Sequence, residues 1–266
     1  MSSRKILVAL AAVAITFGAA SRAQAGPIIS TDIVMMVDES GSMGTVQANL
    51  RTNIGLFASI LSAGGIDARF ALVGYGNNAV VPRLLTDFTN AATFATAAQG
   101  LVVNGGTEPG YDAVHFALNN YPGQTNLSFR ANAVKNLILF TDEPDNGGLA
   151  SINFANTDQL IGDNNALFNA VLSGVGANNS FAALATGHGG GVFALNTLNT
   201  NNQATVQAFV TTFANAKLQE TIDFCTTNPT APECQGPGAP EPSTLVLLGL
   251  GSVVAGVARR RRQRSA

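Results

Sequence analysis

The chain has 266 residues, 46% of them hydrophobic and 11% charged, which is ample for the core of one or two domains. The formal net charge of −2 hides an asymmetry: all sixteen Asp and Glu lie between Asp32 and Glu241, where only Arg51, Arg69, Arg83, Arg130, Lys135 and Lys217 are basic. That stretch therefore carries ten net negative charges, which argues against nucleic acid and anionic lipid as partners and is compatible with divalent cations.

In chain order, Arg4 and Lys5 precede the apolar run ILVALAAVAITFGAA, and Ala23 and Ala25 follow in a small-x-small pattern. This is the form of a secretory signal peptide over residues 1–25, cut after Ala25; the run is short for a transmembrane anchor. The next segment, TDIVMMVD, is a continuous apolar run suited to a strand buried on both faces. Val46, Leu50, Ile54, Phe57 and Leu61 then recur at steps of three and four, an amphipathic helix. ARFALVGYG and AVVPRLLTDF read as two strands of a hairpin around Asn77-Asn78, with Pro82 confining the second to a sheet edge.

NAATFATAAQGL and GTEPGYDAVHFALNNY read as helices, the latter with Tyr111, Val114, Phe116 and Leu118 available to the core. AVKNLILFTD and ALFNAVLSGV read as strands, followed by a brief strand GVFAL and a helix across NQATVQAFVTTFANAKLQ. Alternating strands and helices imply an α/β fold: a doubly wound, mostly parallel sheet with one antiparallel edge strand and helices on both faces. From residue 226 the composition turns to Thr, Asn, Pro and Gly, a linker. Cys225 and Cys234 are the only cysteines, and export favours a disulfide between them. The body spans 26–224, the linker 225–242, and 243–266 reads as a short transmembrane helix in the inner membrane with an arginine-rich tail held in the cytoplasm.

Ligands of open α/β sheets sit beyond the carboxyl ends of the strands. Two apolar strands here end in Asp38 and Asp142, so their carboxylates converge if the strands are neighbours. Asp38, Ser40 and Ser42 are spaced by two in DESGSM; Gly105-Gly106 allows a tight turn before Thr107; and Glu143 and Asp145 follow Asp142. Hydroxyls and one or two carboxylates suit a hard cation that keeps part of its shell open. The competing reading makes Ser42 or Thr45 a helix cap and Asp38 a turn residue. Asp145 and Asp112 are expected as loop and helix-surface charges, His188 as a loop residue and His115 as a packing or solvated residue. No Ser-His-Asp order, HExxH or GxxxxGK[ST] motif is present, and no carboxylate pair stands out as acid and base, so binding rather than catalysis is expected.

Two resemblances add to this. Pro240-Glu241-Pro242, the apolar segment Leu245–Ala258 and the five arginines after it are similar to a PEP-CTERM sorting signal. The resemblance implies handling by an exosortase-type enzyme in a Gram-negative bacterium, with the exported chain either membrane-anchored in the periplasm or at the cell surface or secreted after sorting. DESGSM, GGTEPGYDAV and ILFTDE resemble the von Willebrand factor type A domain over roughly Ile29 to Leu218. That resemblance implies a metal-ion-dependent adhesion site with Asp38, Ser40, Ser42, Thr107 and Asp142 around Mg2+, with Mn2+ or Ca2+ as alternatives. The family often has glycine where this chain has Glu143, which adds a carboxylate near the ion or points to solvent. The expected function is an exported adhesion protein that holds an acidic protein or polysaccharide ligand through the metal. The rivals are a structural matrix or envelope protein without metal-dependent binding and, least favoured, a metal-dependent hydrolase.

Overall fold

A computed structural model describes residues 29–235. Residues 1–25, read as a signal peptide, Pro240-Glu241-Pro242 and the apolar segment after them lie outside the described residues. Among the described residues no helix is long and apolar enough to cross a membrane.

Six strands form one sheet: β1 (Ile29–Asp38), β2 (Ile66–Tyr75), β3 (Arg83–Thr89), β4 (Val134–Thr141), β5 (Leu167–Leu172) and β6 (Val192–Ala194). Their spatial order is β3-β2-β1-β4-β5-β6, with every pairing parallel except β2 with β3. β1 is therefore central, flanked by β2 and β4, which is why it is apolar on both faces. Side chains alternate across it. Met35 and Val37 meet Leu50 and Phe57 of α1 (Gly44–Ala63) and Phe213 of α6 (Gln203–Thr227). Val34 and Met36 meet Val114 of α3 (Gly110–Ala117), Ile161 of α4 (Phe154–Asp163) and Phe181 of α5 (Gly174–Gly187). A short helix α2 (Ala91–Ala97) covers the β3 side through Phe94. Rings of Phe57 and Phe213 stack at 5.6 Å, joining α1 to α6; burying each such ring contributes about 2–3 kcal/mol.

The amphipathic spacing of Val46, Leu50, Ile54, Phe57 and Leu61 places all five in the core, as expected. Some local readings change. The β2–β3 connection is the seven-residue loop 76–82 rather than a tight Asn-Asn turn, and β3 starts only after Pro82, on the sheet edge. The apolar run ALFNAVLSGV divides, since β5 stops at Leu172 and α5 starts at Gly174. Two helices without a clear apolar stripe in the sequence appear. α4 is started by a reciprocal capping box between Asn153 and Asn156, and the Gly-, Ala- and Asn-rich α5 is held by Ala177, Phe181, Leu184 and Ala185. α6 continues to Thr227 and so carries Cys225, which is bonded to Cys234 in the 3-10 turn Pro232–Cys234.

Candidate metal centre at the sheet rim

β1 and β4 pair in register up to Val37 with Phe140, so Asp38 and Thr141, the last residues of these two strands, sit side by side at the sheet rim. Asp38 is wholly buried. Its Oδ1 accepts from the Ser40 backbone N–H at 2.7 Å and its Oδ2 from the Thr141 hydroxyl at 2.8 Å. The chain then makes a 3-10 turn, Gly41–Met43, before α1. Neither serine hydroxyl caps a helix: the N-caps of the 3-10 turn and of α1 are Ser40 and Met43, and neither makes a side-chain capping bond. Instead Ser40 Oγ lies 3.1 Å from Ser42 Oγ, and Ser42 Oγ donates to Asp142 Oδ1 at 3.0 Å. Four of the five expected ligands are thus linked in one hydrogen-bonded series, through the Ser40 backbone N–H and the two serine hydroxyls.

The fifth reaches the corner on its own loop. A parallel bridge joins Ser40 to Gly105, and the Glu39 carbonyl accepts from the N–H groups of Asn104 and Gly105 at 3.1 and 3.2 Å. A Cβ on Gly76, whose φ is +77°, would sit 2.7 Å from the Thr107 carbonyl oxygen and 3.6 Å from Asp38 Oδ1, so Thr107 and Asp38 flank one glycine. Thr107 is half-buried, and among the described residues its hydroxyl makes no hydrogen bond. The Gly105-Gly106 pair works differently from a ligand cradle. A Cβ on Gly105 would fall 1.5 Å from the Gly76 carbonyl oxygen, whereas one on Gly106 would meet nothing within 4 Å. Gly105 is needed for loop-on-loop packing.

The residue between Asp38 and Ser40 organises the rim. Glu39 is wholly buried and receives Arg83 through two nitrogens, at 2.9 and 2.5 Å, along with Asn77 Nδ2 at 2.9 Å and the Val102 N–H at 2.9 Å. One carboxylate therefore fastens the β2–β3 loop and the loop leading to Thr107. Glu108, Thr141 and Asn146 also escape the sequence reading. Asn146 Nδ2 donates to Glu108 Oε2 at 2.8 Å and Asn146 Oδ1 accepts from the Glu108 N–H at 3.2 Å, tying the Thr107 loop to the Asp142 loop. A pairing between side chains thirty-eight positions apart leaves no local signal.

Glu143 is exposed; its N–H is held by Thr141 Oγ1 at 3.1 Å. Asp145 is not a free loop charge, since its Oδ1 accepts from the Tyr111 N–H at 2.8 Å at the start of α3. The expectation that Asp112 lies on the helix surface is corrected: it is 2% exposed and accepts from the Leu149 N–H at 3.0 Å. The sequence places it early in a helix but does not show the loop that folds over it. His115 packs in the core, and His188 ends α5 with Nε2 2.8 Å from Asp158.

Burial pushes the Asp38 carboxyl up to about 6, against the opposing pull of its bonds from Ser40 and Thr141. Burial also raises Glu108, with the charges of Glu143 and Asp142 adding to it. Among the described residues none of Asp38, Glu108, Asp142 or Asp145 pairs with Lys, Arg or His. The corner is a crowded set of hard oxygens with uncompensated negative charge, the donor chemistry that Mg2+, Mn2+ or Ca2+ takes. Among the described residues no three His, Cys, Asp or Glu side chains cluster as metal ligands.

Residues 32–208 match the von Willebrand factor type A domain family, and residues 239–262 match the PEP-CTERM protein-sorting motif. The motif implies export, membrane-anchored sorting in Gram-negative bacteria and recognition by an exosortase-type enzyme. Among proteins of curated function none matches the chain. Solved structures with a similar fold include proximal thread matrix protein 1 from the mussel byssus in its second crystal form. It shares 16% identity at a TM-score of 0.52, over 72% of this chain and 49% of that one. An aerotolerance-related membrane protein from Bacteroides fragilis matches at 12% identity and TM-score 0.46, over 70% and 98%. The VWA domain of SpRpn10 matches at 14% and 0.44, over 62% and 87%. The chain spans about half the length of the mussel chain, and likeness at these identities speaks of fold alone. With its family match covering the whole sheet from Asp32 into α6, the chain belongs to the von Willebrand factor type A domain family, and it bears a PEP-CTERM sorting motif behind that domain.

Proposed function

We propose that this exported protein binds an acidic group of a protein or polysaccharide through a divalent cation at the sheet rim. Asp38, Ser40, Ser42, Thr107 and Asp142 would hold the ion. Mg2+ suits the hydroxyl-rich set, with Mn2+ or Ca2+ as alternatives. The observation that carries the reading is the hydrogen-bonded series from Asp38 through the Ser40 N–H and the Ser40 and Ser42 hydroxyls to Asp142, closed on its third side by the Thr107 loop. The bound ion supplies an electron-poor point that attracts an external carboxylate. The protein's own groups hold that point in place: Thr141 fixes Asp38, Glu39 with Arg83 fixes the two neighbouring loops, and Asn146 with Glu108 closes the third.

The family and the sorting motif indicate an exported adhesion or structural protein. Retention of the full-length chain on immobilised alginate, an acidic polysaccharide, and on a carboxylate-rich protein surface separates the two. Retention in Mg2+ that is lost in EDTA and in Ser42→Ala supports metal-dependent adhesion. Retention or attachment to cells that is indifferent to EDTA supports the structural role.

A further inference from the structure

On the opposite face of the sheet from α3, the C-terminal helix brings a lysine into the core. Lys217 is 1% exposed, and the rings of Phe193 and Phe213 lie 4.7 and 5.1 Å from its Nζ. The amine donates to both oxygens of Glu220, at 2.8 and 2.7 Å, and to Oδ1 of Asn169 on β5. Asn169 is itself wholly buried. Its Oδ1 also accepts from the Gly191 N–H at 2.8 Å, and its Nδ2 donates to Asn136 Oδ1 at 3.1 Å. An amine, a carboxamide and a carboxylate thus share one water-poor, aromatic pocket. Burial brings the Lys217 amine down to about 8 although Glu220 favours its charged form, so the neutral amine is within easy reach.

We propose that Lys217 and Asn169 become joined by an intramolecular isopeptide bond, with Glu220 as the proton carrier. Glu220 takes a proton from the ammonium, and the freed lone pair attacks Asn169 Cγ. The Gly191 N–H already points at the oxygen on which negative charge develops. The Nζ–Cγ bond forms and the Cγ–Nδ2 bond breaks. Of the three hydrogens on the ammonium, one stays on the new amide and two pass by way of Glu220 to Nδ2, which leaves as ammonium. Glu220 ends as it began, a carboxylate, and no further reactant is consumed. Enclosure supplies the proximity on which such a step depends.

The bond has a mechanical meaning in this fold, independent of the metal site. α6 is the last long element before the tail that carries the sorting motif, and β6 beside the pocket is only three residues long. Tension entering from the C-terminus would peel α6 away first. A covalent link from α6 to β5, one strand from the β4 that presents Asp142, transfers that tension to the sheet.

Peptide mass spectrometry of the full-length chain, purified folded and digested with trypsin and chymotrypsin, tests this. The expected result is a branched peptide joining the Asn169 segment to the Lys217 segment, lighter by about 17 Da than its unlinked parts, the mass of one ammonia. Lys217→Met and Glu220→Gln should each yield only unlinked peptides with Asn169 intact, and circular dichroism of Glu220→Gln should remain that of the folded parent. Unlinked Asn169 and Lys217 peptides from the folded parent chain would overturn the proposal. A branched peptide persisting in Glu220→Gln would overturn the part given to Glu220.

Discussion

The hydroxyl of Thr141 donates to the buried carboxylate of Asp38 at 2.8 Å, and these two are the last residues of neighbouring parallel strands. The bond aims one Asp38 oxygen and leaves its carboxylate dependent on a donor that no spacing rule singles out. Thr141→Val removes that donor and keeps the shape. It should lower stability by about 2 kcal/mol, as expected for a bond to a buried charge, and weaken Mn2+ binding about tenfold, equivalent to roughly 1.4 kcal/mol. Urea denaturation and isothermal titration read the two effects separately.

Gly105 and Gly106 are adjacent and should respond in opposite ways. A methyl group at Gly105 collides with the Gly76 carbonyl, while one at Gly106 meets open space. Gly105→Ala should cost about 1–3 kcal/mol from the forced shift of packed backbone and reduce cation affinity, because the displaced loop carries Thr107. Gly106→Ala should match the parent in both melting temperature and titration. Equal behaviour of the two variants would contradict the loop packing described here.

Glu39 gathers Arg83, Asn77 and the Val102 N–H around one buried carboxylate. Glu39→Ala leaves those donors without their acceptor. Removing one partner of a buried pair costs about 3–5 kcal/mol, and the 39% exposure of the Arg83 side chain puts the expected loss at the lower end, about 3 kcal/mol. Glu39→Gln should recover part of it, since the amide oxygen still accepts from Arg83 or Val102. Chemical denaturation midpoints of the three proteins test the order parent, Gln, Ala.

Asp145 gives a pH dependence with a defined sign. Burial raises its carboxyl from the ordinary 3.8 to about 6, against the bonds from the Tyr111 and Gly110 N–H groups. Between those values the folded chain holds a proton that the unfolded chain has released, so stability falls as pH rises through this window. Asp145→Asn stays neutral and keeps an acceptor for the Tyr111 N–H. In EDTA, the stability difference between variant and parent should grow in the variant's favour from pH 4 to pH 7, roughly the interval that the raised carboxyl spans. A difference constant across that range contradicts the assignment.

The strand–helix alternation was legible because the sheet is parallel and buried on both faces, so its strands appear as unbroken apolar runs and α1 as an apolar stripe. α4 and α5 were not, because Asn153 capping and packing of small residues against the sheet carry no such periodicity. In the site, motif spacing and the family resemblance single out Asp38, Ser40, Ser42, Thr107 and Asp142 as candidates, and the structure brings their loops to one corner. The residues that hold them there were not readable. Glu39, Arg83, Thr141, Glu108 and Asn146 act across separations of about forty to a hundred positions, where only the folded register reveals the pairing. Asp112 shows the same limit from the other side, for its burial depends on the distant Leu149 loop.

Isothermal titration of Mg2+ and Mn2+ into the full-length, chelator-stripped protein, with Asp38→Asn beside it, tests the central claim most directly. The parent should bind one ion per chain, and the variant should remain folded with that binding abolished. Absence of heat and of any melting-temperature rise with either ion in the folded parent, or equal binding by Asp38→Asn, would contradict a cation held at this corner.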